Sequence, residues 1–231
     1  MKRIWKSYKK KWHAGRAIAE AIKSQAWRYM ARAEPFAVAD EDPGSIDERF
    51  LGKVKKVVNH TSDLKFLPGD GEVSGPQITA KMREIRTSEL EIRKSFYRKN
   101  RIDDQIVWYT RKVKINERHQ RNWFWVVGGA QGLAFVAALV VIFFPSFPVD
   151  TTGILTTVAA SALAWVQVKQ YEELAQSYAV TGTDLTFIAE LLQAANSEAR
   201  FCELVQEAED VMGREHALWL ARRDQQLALK T

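Results

Sequence analysis

The chain has 231 residues, with 34 Lys and Arg against 28 Asp and Glu, and its net charge of +6 indicates an anionic partner, either a lipid surface or a nucleic acid. A single cysteine excludes an internal disulfide and is typical of a reducing compartment. Charged residues make up 27% of the chain, so most of it has the composition of a water-exposed protein.

The first predicted element is a basic helical block over residues 1–60. Near its start, aromatic residues alternate with lysines and arginines, and no acid precedes Glu20. We expect this segment to contact an anionic leaflet through its lysines: Lys6, Lys9, Lys10 and Lys11. A solvated helix surface and a nucleic-acid site built from phosphate contacts and base stacking are the alternatives, and the lipid surface is favoured over nucleic acid.

The Gly- and Pro-rich stretch 61–77 predicts a linker before a second module, 78–231.

That second module begins with helical spacing of apolar residues from Ile78 to Arg121, where Asp103 and Asp104 are interpreted as helix-start residues. Residues 123–144 then carry no charge, and 22 residues at 1.5 Å each are enough to cross a hydrocarbon core of roughly 30 Å. A connector with two prolines cannot continue the helix. A second uncharged run follows over 151–168, richer in threonine, alanine and serine.

The flanks of these two runs predict a membrane hairpin. Five basic residues precede the first run, Lys169 follows the second, and the connector carries only Asp150. This asymmetry is typical of a hairpin whose two outer ends are cytoplasmic. Arg118 and Arg121 are therefore expected to contact the lipid surface. A buried hairpin in a soluble protein and a peripheral insertion are the alternatives, but the first run lacks the polar face that a soluble helix usually has.

Polar and small residues inside the runs are the candidate site. Gln131, Thr156, Thr157 and Ser161 are expected either to make hydrogen bonds between the helices or to line a polar path in an oligomer. Gly128 and Gly132 form a GxxxG pattern, and Ala160 and Ala164 continue a small face on the second helix. Small faces of this kind allow close helix packing, either within the hairpin or between protomers.

Beyond the second run, apolar residues at steps of three and four predict a helix to about residue 195, with Gly182 as a candidate bend. Asn196-Ser197 predicts a break and cap before a last helix. Strand signals are absent, so the fold class is all-α: a two-helix transmembrane hairpin with a cytoplasmic helical bundle. Histidines lack metal-ligand spacing, and Cys202 fits an apolar stripe. We expect no enzyme activity, no catalytic residues, no metal site and no cofactor.

Three stretches occur in an order that resembles the SLATT superfamily, the SMODS- and SLOG-associating two-transmembrane effectors of bacterial conflict systems. They are "RIDDQIVWYTRKV" from Arg101, "KQYEELAQSYAVTGTDL" from Lys169 and "EAEDVMGREHALWLARR" from Glu207. In addition, "KKWHAGRAIAEAIKSQAWRYMARAEPF" from Lys10 resembles the cytoplasmic helix that follows the hairpin in a related subtype. Tandem members place that subtype first, so the resemblance implies a tandem protein that lacks its first membrane hairpin.

The resemblance also implies a function. It indicates a multi-pass inner-membrane effector of antiphage defence, with both termini cytoplasmic, that oligomerises and permeabilises the membrane when an upstream nucleotide-signalling or sensor protein provides a signal. The expected partners are the lipid bilayer and further copies of the chain. Four residues of the helix after the hairpin are expected to hold the protomers together, Tyr171, Leu174, Tyr178 and Leu185, together with the last helix. A non-conducting membrane scaffold and a membrane-tethered nucleotide or nucleic-acid sensor are the alternatives.

Overall fold

The computed structural model describes residues 2–37, 42–59, 75–144 and 151–228. Within these ranges the secondary structure is helical and contains no strand, which confirms the all-α fold class. The elements are α1 (Lys2–Ala31), α2 (Pro43–Asn59), α3 (Ala80–Thr87), α4 (Leu90–Tyr97), a π turn (Arg98–Ile102), α5 (Asp103–Phe143), α6 (Thr151–Lys169), α7 (Tyr171–Ala194) and α8 (Glu198–Ala228).

The chain folds into two compact units that divide it differently from the predicted domain limits. The first unit combines Met1–Ile106 with Thr183–Ala221, and the second combines Val107–Gly182 with Arg222–Thr231. The N-terminal block, predicted to stand apart as residues 1–60, therefore shares one unit with α4 and much of α8. Most of the predicted linker 61–77 lies outside the described residues. The domain limits themselves remain a prediction from sequence.

Aromatic residues build the core of the first unit where α1, α2 and α3 meet. Tyr29, Phe36 and Phe50 are each at most 2% exposed, and their ring centroids lie 5.1 to 6.0 Å apart. Such tilted and edge-on pairs add about 0.5 to 1.5 kcal/mol each beyond the burial of their area. A second set of fully buried residues comes from α7 and α8: Leu185, Leu192, Phe201, Leu204 and Val205.

Helix α1 ends in a Schellman motif without its usual glycine. Arg32 takes a positive φ of 60°, its N–H donates to the carbonyl of Tyr29, and the N–H of Ala33 donates to the carbonyl of Arg28 at 2.9 Å. The left-handed conformation is unfavourable for arginine. The Arg32 guanidinium compensates by donating from Nε to the carbonyl of Arg86 at 2.7 Å, which ties the end of α1 to α3.

Three helix boundaries differ from the sequence-based expectation. The helical stretch after Ile78 is interrupted at Ser88 and Glu89, between α3 and α4. Asp103 and Asp104 follow the π turn directly, inside a continuous helical run from Leu90 to Phe143, so they do not begin a free helix. The helix predicted to continue from the second apolar run is also broken, because Gln170 adopts a φ of 49° between α6 and α7.

The C-terminal helices have the predicted cap at Ser197 but no break at Gly182. The predicted cap after α7 is confirmed, since the Ser197 hydroxyl accepts from the N–H of Arg200 at 3.3 Å at the start of α8. Gly182, the candidate bend, lies inside the continuous helix α7. A Cβ atom built on Gly182 would lie 3.4 Å from the Cβ of Tyr109, so the glycine allows α5 and α7 to pack closely.

Candidate functional site: the apolar hairpin

Helices α5 and α6 pack antiparallel as a hairpin in the second unit. Near one end the rings of Trp123 and Trp165 lie 6.3 Å apart. Toward the other end the two helices line a groove of about 480 Å³. The groove is lined by Gln131, Ala134, Phe135, Ala138, Thr152, Thr156, Ala159, Ala160 and Leu163. The structure thus brings two of the four predicted polar residues, Gln131 and Thr156, to one groove.

Among the described residues, one helical run is long and apolar enough to cross a membrane, Leu90–Phe143, and only 6% of its apolar window is buried. Large side chains of α5 are exposed, including Trp125 at 70%, Phe135 at 66% and Ile142 at 69%. Exposed apolar area on this scale marks a surface for lipid or for another chain. The second predicted span, 151–168, corresponds to α6, which is not among the described helices that are long and apolar enough to cross a membrane. A two-span topology therefore remains a prediction.

The hydroxyl groups of α6 bond within their own helix. Thr156 donates to the carbonyls of Thr152 at 2.9 Å and Gly153 at 3.0 Å, and Thr157 donates to Gly153 at 2.8 Å. Ser161 donates to the carbonyl of Thr157, also at 2.8 Å. Helical hydroxyls commonly make this back-bond. These three hydroxyl groups therefore do not donate hydrogen bonds to the other helix, which was one of their two expected roles.

Gln131 differs from these hydroxyl residues. Gln131 is exposed and lines the groove, and its amide makes no hydrogen bond to another described residue. An amide has two donors and two acceptor lone pairs. Leaving such a group unpaired in hydrocarbon costs on the order of a few kcal/mol. In a bilayer, a hydrogen-bond partner for Gln131 would have to come from outside the described residues.

The glycine pattern does not form the contact between α5 and α6. Cβ atoms built on Gly128 and Gly132 meet no atom within 4 Å, so neither glycine is needed for close contact with α6. Of the two predicted small residues on α6, Ala160 lines the groove and Ala164 is exposed. The alanines that are buried are Ala134 on α5 and Ala159 and Ala162 on α6. Sequence reasoning missed them because alanine is abundant throughout both runs.

A polar and aromatic border closes the hairpin at the end where the basic residues lie. The Lys169 ammonium lies 4.6 Å from the centre of the Trp165 ring, and the His119 and Tyr171 rings stack at 5.2 Å. Gln120 donates to the Glu172 carboxylate at 2.9 Å. Tryptophan and lysine pairs of this kind are typical of a membrane–water interface.

The predicted lipid-contact residues fall into two groups. Arg118 and Arg121 are exposed on α5, one turn before the apolar run, where a lipid headgroup could reach them. Lys6, Lys9, Lys10 and Lys11 lie on α1, but their side chains fall outside the described part of the structure. The contact of these lysines with lipid therefore stays a prediction.

Cys202 and the possible metal-ligating side chains were the candidates for chemistry. Cys202 is half-buried, its thiol donates to the carbonyl of Arg32 at 3.1 Å, and burial with the nearby charge of Glu198 raises the pKa of Cys202 to about 11. No group of three or more His, Cys, Asp or Glu with the arrangement of a metal site occurs within the ranges that the structure describes. Cys202 thus has the environment of an unreactive packing residue.

A buried ion pair in the first unit was not anticipated from sequence. Arg101 in the π turn donates from Nε and Nη2 to the two carboxylate oxygens of Glu209 on α8, at 2.9 and 2.7 Å. The side chains are 3% and 0% exposed. The Tyr97 hydroxyl donates to the same carboxylate at 3.1 Å. The only sequence signal for this pair is two charged residues at helical core positions, 108 residues apart.

The three side chains perturb one another's ionisation. Burial and the Glu209 charge raise the pKa of Tyr97 well above its ordinary value. Burial alone would lower the pKa of Arg101, but the hydrogen bonds and charge of Glu209 outweigh that effect and raise the pKa. One guanidinium nitrogen, Nη1 of Arg101, is buried and has no hydrogen-bond partner within the described residues. The network is therefore not fully satisfied.

Two family models match the chain in tandem. Residues 1–94 match the SMODS and SLOG-associating 2TM effector domain 3, and residues 97–219 match the SMODS and SLOG-associating 2TM effector domain 1. No curated protein and no solved structure shows significant similarity to the chain. The second match covers more than half of the chain and contains the hairpin, the π turn and Glu209. This protein therefore belongs to the SLATT family of two-transmembrane effectors associated with conflict systems.

Proposed function

We propose that this chain is a membrane effector of bacterial antiphage defence that oligomerises in the inner membrane and permeabilises it when an upstream signal arrives. Family membership supports the coarse part of the proposal, a membrane effector linked to conflict systems. Permeabilisation and assembly are supported by the geometry of the hairpin. We further propose that the protein acts without catalysis, metal or cofactor, and that a nucleotide-signalling or sensor protein supplies the signal.

The observation that carries the proposal is the unpaired amide of Gln131. This residue lies eight positions after Trp123 in an uncharged run of 22 residues, which places it near the middle of the predicted membrane span. The amide makes no hydrogen bond within the described chain and lines the α5–α6 groove. Lipid tails offer no donor or acceptor. Water or a second chain can supply one, and both occur along a polar path in an oligomer.

Assembly from several chains is required because two helices cannot enclose a water path. Of the residues expected to join the protomers, Leu185 is fully buried and Tyr178 is 8% exposed in the chain's own packing, and Tyr171 and Leu174 are partly buried. This makes Tyr178 and Leu185 unsuitable contacts. The apolar residues that α7 leaves exposed are instead Val180 and Phe187 at 61% and Leu191 at 44%, and we propose these as contacts beneath the membrane.

Replacement of Gln131 tests the proposal. In Gln131→Leu the polar group is lost and the side-chain volume is kept, so we expect dye uptake by expressing cells to fall at least about tenfold while membrane insertion is unchanged. The matched control is Thr157→Val, which also removes a polar group from the hairpin. The Thr157 hydroxyl bonds within its own helix and does not line the groove, so this control should retain permeabilisation.

Dye uptake is measured at matched amounts of membrane-inserted protein, and native mass spectrometry in detergent reports the assembly. Full permeabilisation by Gln131→Leu would remove the assignment of Gln131 to a polar path. A protein that inserts but never permeabilises, even at high expression, would instead support the non-conducting scaffold. A strictly monomeric protein at micromolar concentration would contradict assembly.

A further inference from the structure

The Arg101–Glu209 pair lies at the one place where the long helical run from Leu90 to Phe143 departs from α-helical hydrogen bonding. In the π turn the N–H of Asp103 donates to the carbonyl of Arg98, five residues earlier. A π turn accommodates one extra residue in a helix and is often found at functional positions. Arg101 is thus anchored to α8 from within the π turn that precedes α5.

The geometry and burial of the Arg101–Glu209 pair leave little room for a loosened, intermediate contact. Two parallel hydrogen bonds join one guanidinium to one carboxylate, and bidentate pairs of this kind depend on precise geometry. Both side chains are almost fully buried, so neither charged group is solvated while the pair is intact. Replacing a buried ion pair with apolar residues often leaves stability unchanged or higher, so the pair is a poor device for stability alone.

Two further contacts couple the Arg101–Glu209 pair to the position of α8. The Tyr97 hydroxyl holds the same carboxylate from the residue just before the π turn. The next residue on α8, Asp210, pairs with Arg28 of α1 at 2.6 Å. A displacement of α8 in this unit would therefore act on Glu209 together with its neighbour. The unpaired Nη1 of Arg101 leaves two N–H donors unused in the closed arrangement, which makes its release less costly.

We propose that the Arg101–Glu209 pair is a latch that keeps the π turn in its resting geometry, and that release of Glu209 is the conformational step before the effector acts. The inference rests on the proposed function. When the latch opens, the π turn can relax to α-helical hydrogen bonding. The extra residue that the π turn accommodates then becomes part of the regular helix. The residues that follow it in α5 therefore rotate by roughly 100° about the helix axis.

Glu209→Gln tests the latch because it removes the charge and keeps the shape of the side chain. Hydrogen exchange of the full chain in detergent should become at least about tenfold faster over residues 97–106, with the other helices unchanged. Cells that express Glu209→Gln at low level should take up dye that cells with the unaltered protein exclude. Tyr97→Phe, which removes one hydrogen bond and no charge, should shift both measurements in the same direction by a smaller factor.

The matched control is Glu203→Gln, which removes an exposed carboxylate from α8 that pairs with Arg200 at 3.0 Å. It should leave exchange and dye uptake unchanged. Unchanged exchange over residues 97–106 in Glu209→Gln would overturn the latch, and so would a rise spread over all helices, which would mark the pair as purely structural. Local opening without extra dye uptake would overturn the link to activity, provided that highly expressed unaltered protein permeabilises cells. If no variant permeabilises at any level, the proposed function fails, and exchange alone decides whether the pair holds the turn.

Discussion

At the scale of single residues, buried arginines join the helices of the first unit. Arg93 is 2% exposed and donates to the carbonyls of Ala31 and Ser88, both at 3.0 Å, and to the Glu198 carboxylate. Arg86 donates to the carbonyl of Tyr29 at 2.6 Å. Carbonyls at a helix end have no partner in their own helix and carry partial negative charge. These guanidinium groups therefore satisfy the end of α1 and fix it on α3, α4 and α8.

Cys202 gives a prediction at this scale. Because its pKa is raised to about 11, the fraction of reactive thiolate at pH 8 is lower than for an ordinary thiol by on the order of a hundredfold. Alkylation by iodoacetamide at pH 8 should be slowed by a similar factor in the folded protein. Mass spectrometry over time measures the rate, and unfolding in dodecyl sulfate should restore ordinary reactivity. Fast alkylation of the folded chain would contradict the described environment.

At the scale of elements, close approach of helices is decided by single positions that look alike in sequence. Gly182 faces Tyr109, which is 2% exposed, whereas Gly128, Gly132 and Gly213 face no atom within 4 Å. The same residue type therefore has a packing role on α7 and none within the chain on α5. The π turn is a second example, since nothing in "RKNRI" marks it in sequence.

Substitution of Gly182 tests the packing of α5 against α7. The Cβ atom added by Gly182→Ala would lie 3.4 Å from the Cβ of Tyr109, and alanine has a higher helix propensity than glycine. We therefore expect an unchanged or higher melting temperature, with a gain of at most about 1 kcal/mol in the free energy of unfolding. Gly182→Leu would overlap Tyr109 and should cost about 1 to 3 kcal/mol. Thermal unfolding in detergent provides the measurement. The control Gly213→Leu should be tolerated, and equal loss in both leucine variants would refute the close contact.

At the scale of the whole molecule, the combination of an apolar hairpin with a charged helical unit is what an effector linked to the membrane requires. Exposed apolar residues concentrate on α5 and α6, while the ion pairs Arg93–Glu198 and Arg101–Glu209 lie in the first unit. The exposed apolar surface of α5 and α6 suits lipid, whereas the charged surface of the first unit suits water.

Topology is the prediction at this scale. Basic residues flank both outer ends of the hairpin, so both termini should be cytoplasmic and the connector should be outside. In a Cys202→Ser background, a cysteine placed at Ser146 should react with an impermeant maleimide added to intact spheroplasts. A tag after Thr231 should be protected until the cells are lysed. The reverse pattern of accessibility would show that the assigned orientation is wrong.

The sequence by itself determined the fold class, the position of the apolar run at the end of α5 and the presence of a membrane element. These features depend on composition and on short repeats, because the length of an uncharged apolar run and the helical period are local properties of the chain. The cap at Ser197 belongs to the same group, since an N-cap needs only the residues of one turn. The family resemblance was also readable from ordered local stretches, and the family matches confirm it.

Only the tertiary structure decided which residues meet. Sequence allowed the Gly128–Gly132 pattern to pack within the hairpin, but in the structure neither glycine meets an atom within 4 Å, and Gln131 has no hydrogen-bond partner among the described residues. Likewise, Arg101 and Glu209 pair across 108 residues, and Arg28 reaches Asp210 across 182. Such pairings depend on how distant helices rotate and pack on one another. That packing is set by the sum of many weak contacts, which no local pattern in the chain records.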